Sequence, residues 1–204
     1  MQQFIRFSVN IPMGTQFDND QIKLVIQKVL SGDVNAFSRV VDQYQKLVAH
    51  IVFRMIYDHQ DREDLCQEVF IKVYQNLSHF RFESKVSTWI SKIAYNSCIN
   101  YLNKRKTKGM NESSLELENL PSSTSNPEYV TEQEDWTSRI HAEIRQLPLP
   151  YRAILTLYHL EDMSYNDIAE VMNLPEGTVK SYLYRARKQL KEELSYKYKI
   201  QDIA

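Results

Sequence analysis

The stretch that most constrains this chain is Met163 to Leu190, MSYNDIAEVMNLPEGTVKSYLYRARKQL. Its spacing predicts two short helices joined by a tight turn. Ser164 stands where an N-cap is needed, and Asp167 three residues on completes a capping-box pattern. Ile168, Ala169 and Met172 give the first helix an apolar face. Asn173 tolerates the left-handed conformation that ends a helix. Pro175 suits the start of the next one, because its missing N–H has no partner there. The second helix carries Val179, Leu183, Ala186 and Leu190 on one side. Lys180, Ser181, Tyr184, Arg185 and Lys188 lie opposite, with Arg187 nearby. A helix-turn-helix lays its second helix in the DNA major groove, where cations hold phosphate and polar side chains read base edges. The plain alternative is a helical hairpin with a solvated basic face.

The remaining periodicity is helical too. Only four Gly and six Pro among 204 residues argue against a sandwich of short strands. The expected fold is all-α: two small helical domains joined by a flexible acidic linker, the second a helix-turn-helix domain. Residues 1–18 lack periodicity and read as an N-terminal extension. Residues 19–107 form the first domain, 108–127 the linker and 128–204 the second domain. Ile22, Val25, Ile26 and Val29 mark a helix over 20–30. A long apolar stripe predicts another over 34–57, broken at Asp58-His59-Gln60-Asp61. A third helix runs over 62–77 on Leu65, Val69, Val73 and Leu77. After a loop over 78–87, a fourth spans 88–106, with Trp89, Ile93, Ile99 and Leu102 as its core face. Trp136, Ile140, Ile144 and Leu147 mark a helix ended by Pro148, and Pro150 starts one over 151–160. The tail from Ser195 is ambiguous.

A net charge of −1 hides a strong pattern. From Phe70 to Lys108 the cations Lys72, Arg81, Lys85, Lys92, Lys104, Arg105, Lys106 and Lys108 face Glu83 alone. From Gly109 to Asp135 every charge is acidic. Cys66 and Cys98 show no metal spacing and read as small buried residues in a reducing compartment. No run is apolar enough for membrane insertion and no signal peptide stands at the start, so a cytoplasmic protein is expected. No nucleophile–base pair, phosphate loop or metal set appears. The chain reads as a non-enzyme without metal, cofactor or small-molecule substrate.

Two further surfaces carry chemistry. Asp61, Asp64, Gln67, Glu68 and Lys72 lie off the apolar stripe of their helix; they suit a solvated face or a dock for a basic partner. Phe80, Lys92, Asn96, Lys104, Arg105 and Lys106 interleave an aromatic, an amide and cations. Unstacked bases want this mixture: rings stack, amides bond base edges, cations hold phosphates. Closing the helical core is the competing role for Phe80, and for Trp89 the favoured one.

DREDLCQEVFIKVY, then FRFESKVSTWISKIAYNSCINYLNKRK, then a variable linker, then LPLPYRAILTLYHLEDMSYNDIAEVMNLPEGTVKSYLYRARKQL, follow in series. Over residues 20 to 194 the chain resembles an extracytoplasmic-function sigma factor of the sigma-70 family. The resemblance implies a protein that binds core RNA polymerase, recognises the −10 and −35 promoter elements and promotes melting. It implies docking of Asp61, Asp64, Gln67 and Glu68 on the β′ clamp helices, with a second polymerase contact at the β flap. Lys72, Asn76, Phe80 and Asn96 would hold a flipped −10 base, with Lys92, Lys104, Arg105 and Lys106 along the DNA. Lys180, Ser181, Tyr184, Arg185 and Lys188 would face the −35 element. A separate anti-sigma factor is implied as regulator. Phe82-Glu83 departs from the family's usual Gly-containing turn.

Overall fold

The computed structural model describes residues 19–107 and 132–198, and side chains over 20–107 and 139–198. The extension over 1–18, the linker over 108–127 and the Trp136 side chain lie outside the described residues. The first bundle comprises α1 (Asn19–Leu30), α2 (Phe37–Met55), α3 (His59–Asn76) and α4 (Val86–Thr107). The second comprises α5 (Glu132–Gln146), α6 (Leu149–His159), α7 (Tyr165–Met172) and α8 (Glu176–Tyr198). No strand interrupts the helices among the described residues.

Local signals explain most boundaries. Gly32 ends the first connection at φ +104°, and Asp33 caps a 3-10 turn over Val34–Ala36 by accepting from the Ala36 N–H at 3.2 Å. The expected helix from Val34 therefore becomes a true α-helix only at Phe37, and it stops at Met55 because Ile56 is extended. The polar tetrad after it is a start as well as a break. Asp58 Oδ1 accepts from the Gln60 and Asp61 N–H groups at 3.0 and 3.2 Å, so α3 begins at His59, not Arg62. A carboxylate at that end also complements the helix dipole. In the second bundle Ser164 and Asp167 form the full capping box, and Asn173 is left-handed at φ 53°.

Two core faces differ from expectation. In α4 the buried apolar positions are Val86, Ile90, Ala94, Cys98 and Leu102, with Thr88, Ser91 and Ser97 beside them. Trp89, Ile93 and Ile99 are only half-buried. The small residues let α4 sit close against α2 and α3, which pushes the bulky ones to the margin. In α5, Ile140 is exposed, whereas Glu143 is 5 % exposed and accepts from Lys197 Nζ at 2.7 Å. That pair continues α8 through the ambiguous tail to Tyr198.

The two bundles pack together, α7 on α4 and α6 on α2. Ile51, Met55 and Tyr95 meet Ala153, Thr156 and Leu157 across the seam.

Candidate functional site

On α3, Asp64 and Glu68 are exposed and Gln67 half-exposed. Ile71, 50 % exposed, lies one further turn along the same face, at i+7 from Asp64. Sequence reasoning missed it because the buried stripe of this helix runs elsewhere; its signal was that register with Asp64. Asp61 does not join this face. Its Oδ2 accepts from Arg105 Nη1 at 2.9 Å and from the Tyr101 hydroxyl, which in turn accepts from Arg105 at 2.5 Å. Asp61 and Arg105, expected on separate surfaces, pair with each other in this structure. The start of α3 lies against the end of α4, and the two residues neutralise each other. Burial, and then the hydrogen bond to Asp61, push the Tyr101 hydroxyl up to about 12.

Between α3 and α4 opens a polar groove of 340 Å³, lined by Glu68, Lys72, Ser97, Asn100, Tyr101, Asn103, Lys104 and Thr107. Lys72 is held in it by Glu68 at 2.6 Å and Ser97 Oγ at 3.0 Å. Asn76 turns its amide back to the Lys72 carbonyl at 2.8 Å. Asn96, Lys104 and Lys106 are exposed and Lys92 is half-buried. Lys92, Asn96, Asn100 and Asn103 follow one another at helical spacing and form a polar stripe along α4. Asn100 had drawn no notice in the sequence, because an amide amid apolar residues carries no periodic signal of its own.

Of its two expected roles, Phe80 packs in the core-closing one. It is 9 % exposed, stacked on Trp89 at 4.7 Å and 28°, and tilted against Phe82 at 4.7 Å. These two ring contacts support the loop. Phe82 is left-handed at φ 58°. A bulky residue pays for that conformation with backbone strain of about 1–2 kcal/mol. The Phe80 contact and the Lys23 ammonium 5.4 Å from its ring centre offset the strain.

On α8 the inward face is Val179, Leu183 and Ala186, all buried, with Leu190 half-buried. This seats the helix so that Lys180, Ser181, Tyr184, Arg185 and Lys188 point outward, Tyr184 at 70 % exposure. Lys180 pairs with Glu176 at 2.6 Å and Lys188 approaches Glu192 at 3.8 Å. Such exposed i, i+4 pairs contribute only a few tenths of a kcal/mol and yield readily to a phosphate. Ser181 donates to the Gly177 and Thr178 carbonyls, leaving its oxygen as an acceptor. Arg187 turns away to His159 Nε2 at 3.1 Å and stacks over Tyr158, tying α8 to α6.

The seam between the bundles meets the first bundle at the start of α4 and on α2. Asp167 Oδ1 accepts from Thr88 Oγ1 at 2.9 Å, and Oδ2 from Lys85 Nζ at 3.1 Å. The capping residue of the helix-turn-helix thus also grips the start of α4, close to the Phe80 loop. His50 and Glu161 pair across the same seam at 2.5 Å.

Both bundles match known family models. The family model described as Sigma-70 region 2 matches residues 40–108, and that of Sigma-70, region 4 matches residues 137–190. Over 182 residues the chain is 33% identical to the RNA polymerase sigma-H factor of Pseudomonas aeruginosa, covering 86% of this chain and 94% of that one. It is 35% identical over 175 residues to the ECF RNA polymerase sigma-E factor of Escherichia coli, covering 82% and 91%. The chain belongs to the extracytoplasmic-function sigma factors of the sigma-70 family. ECF sigma factor SigW of Bacillus subtilis is 31% identical over 184 residues, 85% of this chain and 96% of that one. Two solved structures share the sigma-factor fold at 20% identity. CnrH, in complex with the cytosolic domain of CnrY, superposes with a TM-score of 0.63, covering 88% of this chain and 99% of that one. The Bartonella quintana sigma factor RpoE, in complex with the anti-sigma factor NepR, gives 0.64, covering 79% and 98%. This sigma factor acts with RNA polymerase in promoter recognition and transcription initiation. Among its described residues no helix is long and apolar enough to cross a membrane, and no three His, Cys, Asp or Glu side chains converge on a metal position.

Proposed function

We propose that this sigma factor reads promoters at two points, with the work divided among the three surfaces. The observation that carries the reading is their placement. The α4 stripe of Lys92, Asn96, Asn100 and Asn103 and the α8 face of Lys180, Ser181, Tyr184 and Arg185 stand on separate bundles, while Asp64, Gln67 and Glu68 occupy a third surface on α3. Asp64, Gln67 and Glu68 dock on the basic β′ clamp helices, with Ile71 as an apolar contact within the same face. The second bundle meets the β flap. Residues 19–107 serve as the −10 and docking domain and 128–204 as the −35 domain. Residues 108–127 act as the linker and 1–18 as an extension.

At the −35 element, Arg185 and Lys180 contact guanine or phosphate, and Ser181 and Tyr184 accept or donate at phosphates and base edges; Lys188 adds charge. At the −10 element, Asn96 and Lys72, helped by Asn76, hold an extruded base. Phe80 and Trp89 brace the loop beside them. Lys92, Lys104 and Lys106 follow the backbone. Capturing the base offsets an unstacking cost of about a few kcal/mol. Nothing in this scheme makes or breaks a covalent bond. Polymerase separates the two bundles from their packed arrangement and holds them at a fixed distance, so either half alone binds promoter DNA weakly. The protein works in the cytoplasm under a partner anti-sigma factor. Mixing the purified chain with core polymerase and promoter DNA tests the reading. Specific run-off transcripts support it, and failure to join core polymerase refutes it.

A further inference from the structure

Near the junction of α2 and α3, where α2 packs on α6, four arginines gather in the neighbourhood of Tyr57. Arg54 and Arg62 come from the first bundle; Arg145 and Arg152 come from the second, with His141 beside them. Tyr57 fixes the geometry. Its hydroxyl donates to the Arg145 carbonyl at 2.5 Å and accepts from Arg152 Nη1, whose guanidinium lies 4.8 Å from the Tyr57 ring centre. Arg62 Nε donates to the Ile56 carbonyl at 2.6 Å and lies over the Phe53 ring at 5.4 Å.

Among the described residues, Asp58 beside Arg62 is the one carboxylate whose charge is recorded as acting on these arginines. Among the described residues none of the four arginines forms an ion pair. Asp58 acts on Arg62, but its Oδ1 already caps α3. Burial, and then the mutual repulsion of Arg54, Arg62 and Arg145, lower the Arg54 and Arg62 pKa values. His141 is lowered by burial and by Arg54 and Arg145. Arg145 Nε and Arg152 Nε are buried without a hydrogen-bond partner, and Arg152 as a whole is 3 % exposed. Buried donors on cations normally find acceptors, and a guanidinium fork matches the oxygen spacing of a phosphate.

We propose that Arg54, Arg62, Arg145 and Arg152 form a site for a phosphate-type oxyanion that bridges the two helical bundles. A ligand held by arginines from both bundles binds the packed arrangement more tightly than the separated one. It therefore shifts the population toward the packed state, in which α7 covers the start of α4. None of the four arginines belongs to the α4 stripe or the α8 face, so the existence of the site does not depend on the promoter reading.

The test uses the full chain and inorganic phosphate, titrated against sodium chloride at matched ionic strength. Calorimetry measures binding, and hydrogen exchange at α4 and α7 measures closure. The expected result is a saturable phosphate isotherm with slowed exchange at the seam, and neither effect with chloride. Arg54→Gln and Arg145→Gln each weaken phosphate binding at least tenfold. Arg54→Lys, which keeps the charge and loses the fork, falls between wild type and Arg54→Gln and guards against a folding defect. Equal responses to phosphate and chloride would overturn the site, as would glutamine variants that bind phosphate like wild type. Binding of a glutamate-rich peptide without any response to phosphate would overturn the assigned ligand class.

Discussion

Asp167→Ala tests whether the two bundles pack in solution as described. The carboxylate has two jobs. Within its own helix it accepts from Ser164 Oγ at 2.6 Å and from the Ser164 N–H at 3.3 Å. Losing that half of a capping box costs about 0.5–1 kcal/mol. Across the seam it satisfies Thr88, whose side chain is 1 % exposed. A buried hydroxyl left unpaired costs about 1–3 kcal/mol. Lys85 is 60% exposed, so solvent screening leaves its ion pair under about 1 kcal/mol. The total loss is roughly 2–4 kcal/mol, read by urea unfolding through tryptophan fluorescence, to which Trp89, half-buried beside the seam, contributes. A double-mutant cycle with Thr88→Val isolates the contact between bundles, because Thr88 plays no part in the cap. The expected coupling is about 1–2 kcal/mol. Additivity within about 0.5 kcal/mol would refute the packing. The pH dependence gives a second handle. Burial opposes ionisation of Asp167, but hydrogen bonds from Ser164, Lys85 and Thr88 outweigh it and hold its pKa below the ordinary 3.8. The unfolded chain then binds the proton more readily. This stabilisation is present above about pH 4 and is lost as pH falls through the folded-state pKa. Asp167→Asn should remove that part of the acid dependence.

Three further outcomes follow from the described surfaces. Asp64→Lys, at an exposed position, should leave thermal stability within about 0.5 kcal/mol of wild type and abolish core polymerase binding in a pull-down; undiminished binding would remove the docking face. Asn96→Ala should slow promoter opening, measured by permanganate reactivity of unpaired thymines, more than it weakens recruitment; equal losses would contradict base capture at this amide. Phe82→Ala keeps the left-handed backbone and loses the ring, whereas Phe82→Gly relieves the backbone. Glycine should therefore be more stable than alanine by roughly 1 kcal/mol in urea unfolding, and the reverse order would show that the loop is not strained.

What the sequence disclosed depended on the range of the signal. The helix-turn-helix was legible because each of its parts is local: the Ser164–Asp167 cap, the left-handed Asn173 and the apolar run from Val179 to Ala186. The five outward residues of α8 followed from that register alone. The core face of α4 was legible only in part, because large apolar side chains outweigh small ones in any periodic pattern. Packing between α2 and α3 selected Ala94 and Cys98 and left Trp89 and Ile93 at the margin. Phe80 posed the same ambiguity, since a ring beside cations suits both a core and a base platform. The pairing of Asp61 with Arg105 spans 44 residues, and no local pattern encodes it. Asp167 was legible as a cap, but its grip on Thr88 emerges only when the bundles meet. The arginines around Tyr57 come from four helices and were invisible for the same reason.

The most direct measurement is run-off transcription by core polymerase with this protein on a matched template set. One template carries both promoter elements, one lacks the −35 element, one lacks the −10 element, and a series changes the spacer length one base pair at a time. A two-point reader held at fixed separation requires both elements and shows a sharp optimum in spacer length, with Arg185→Ala losing the dependence on the −35 element. Equal transcription from templates lacking the −35 element, or indifference to spacer length, would contradict it.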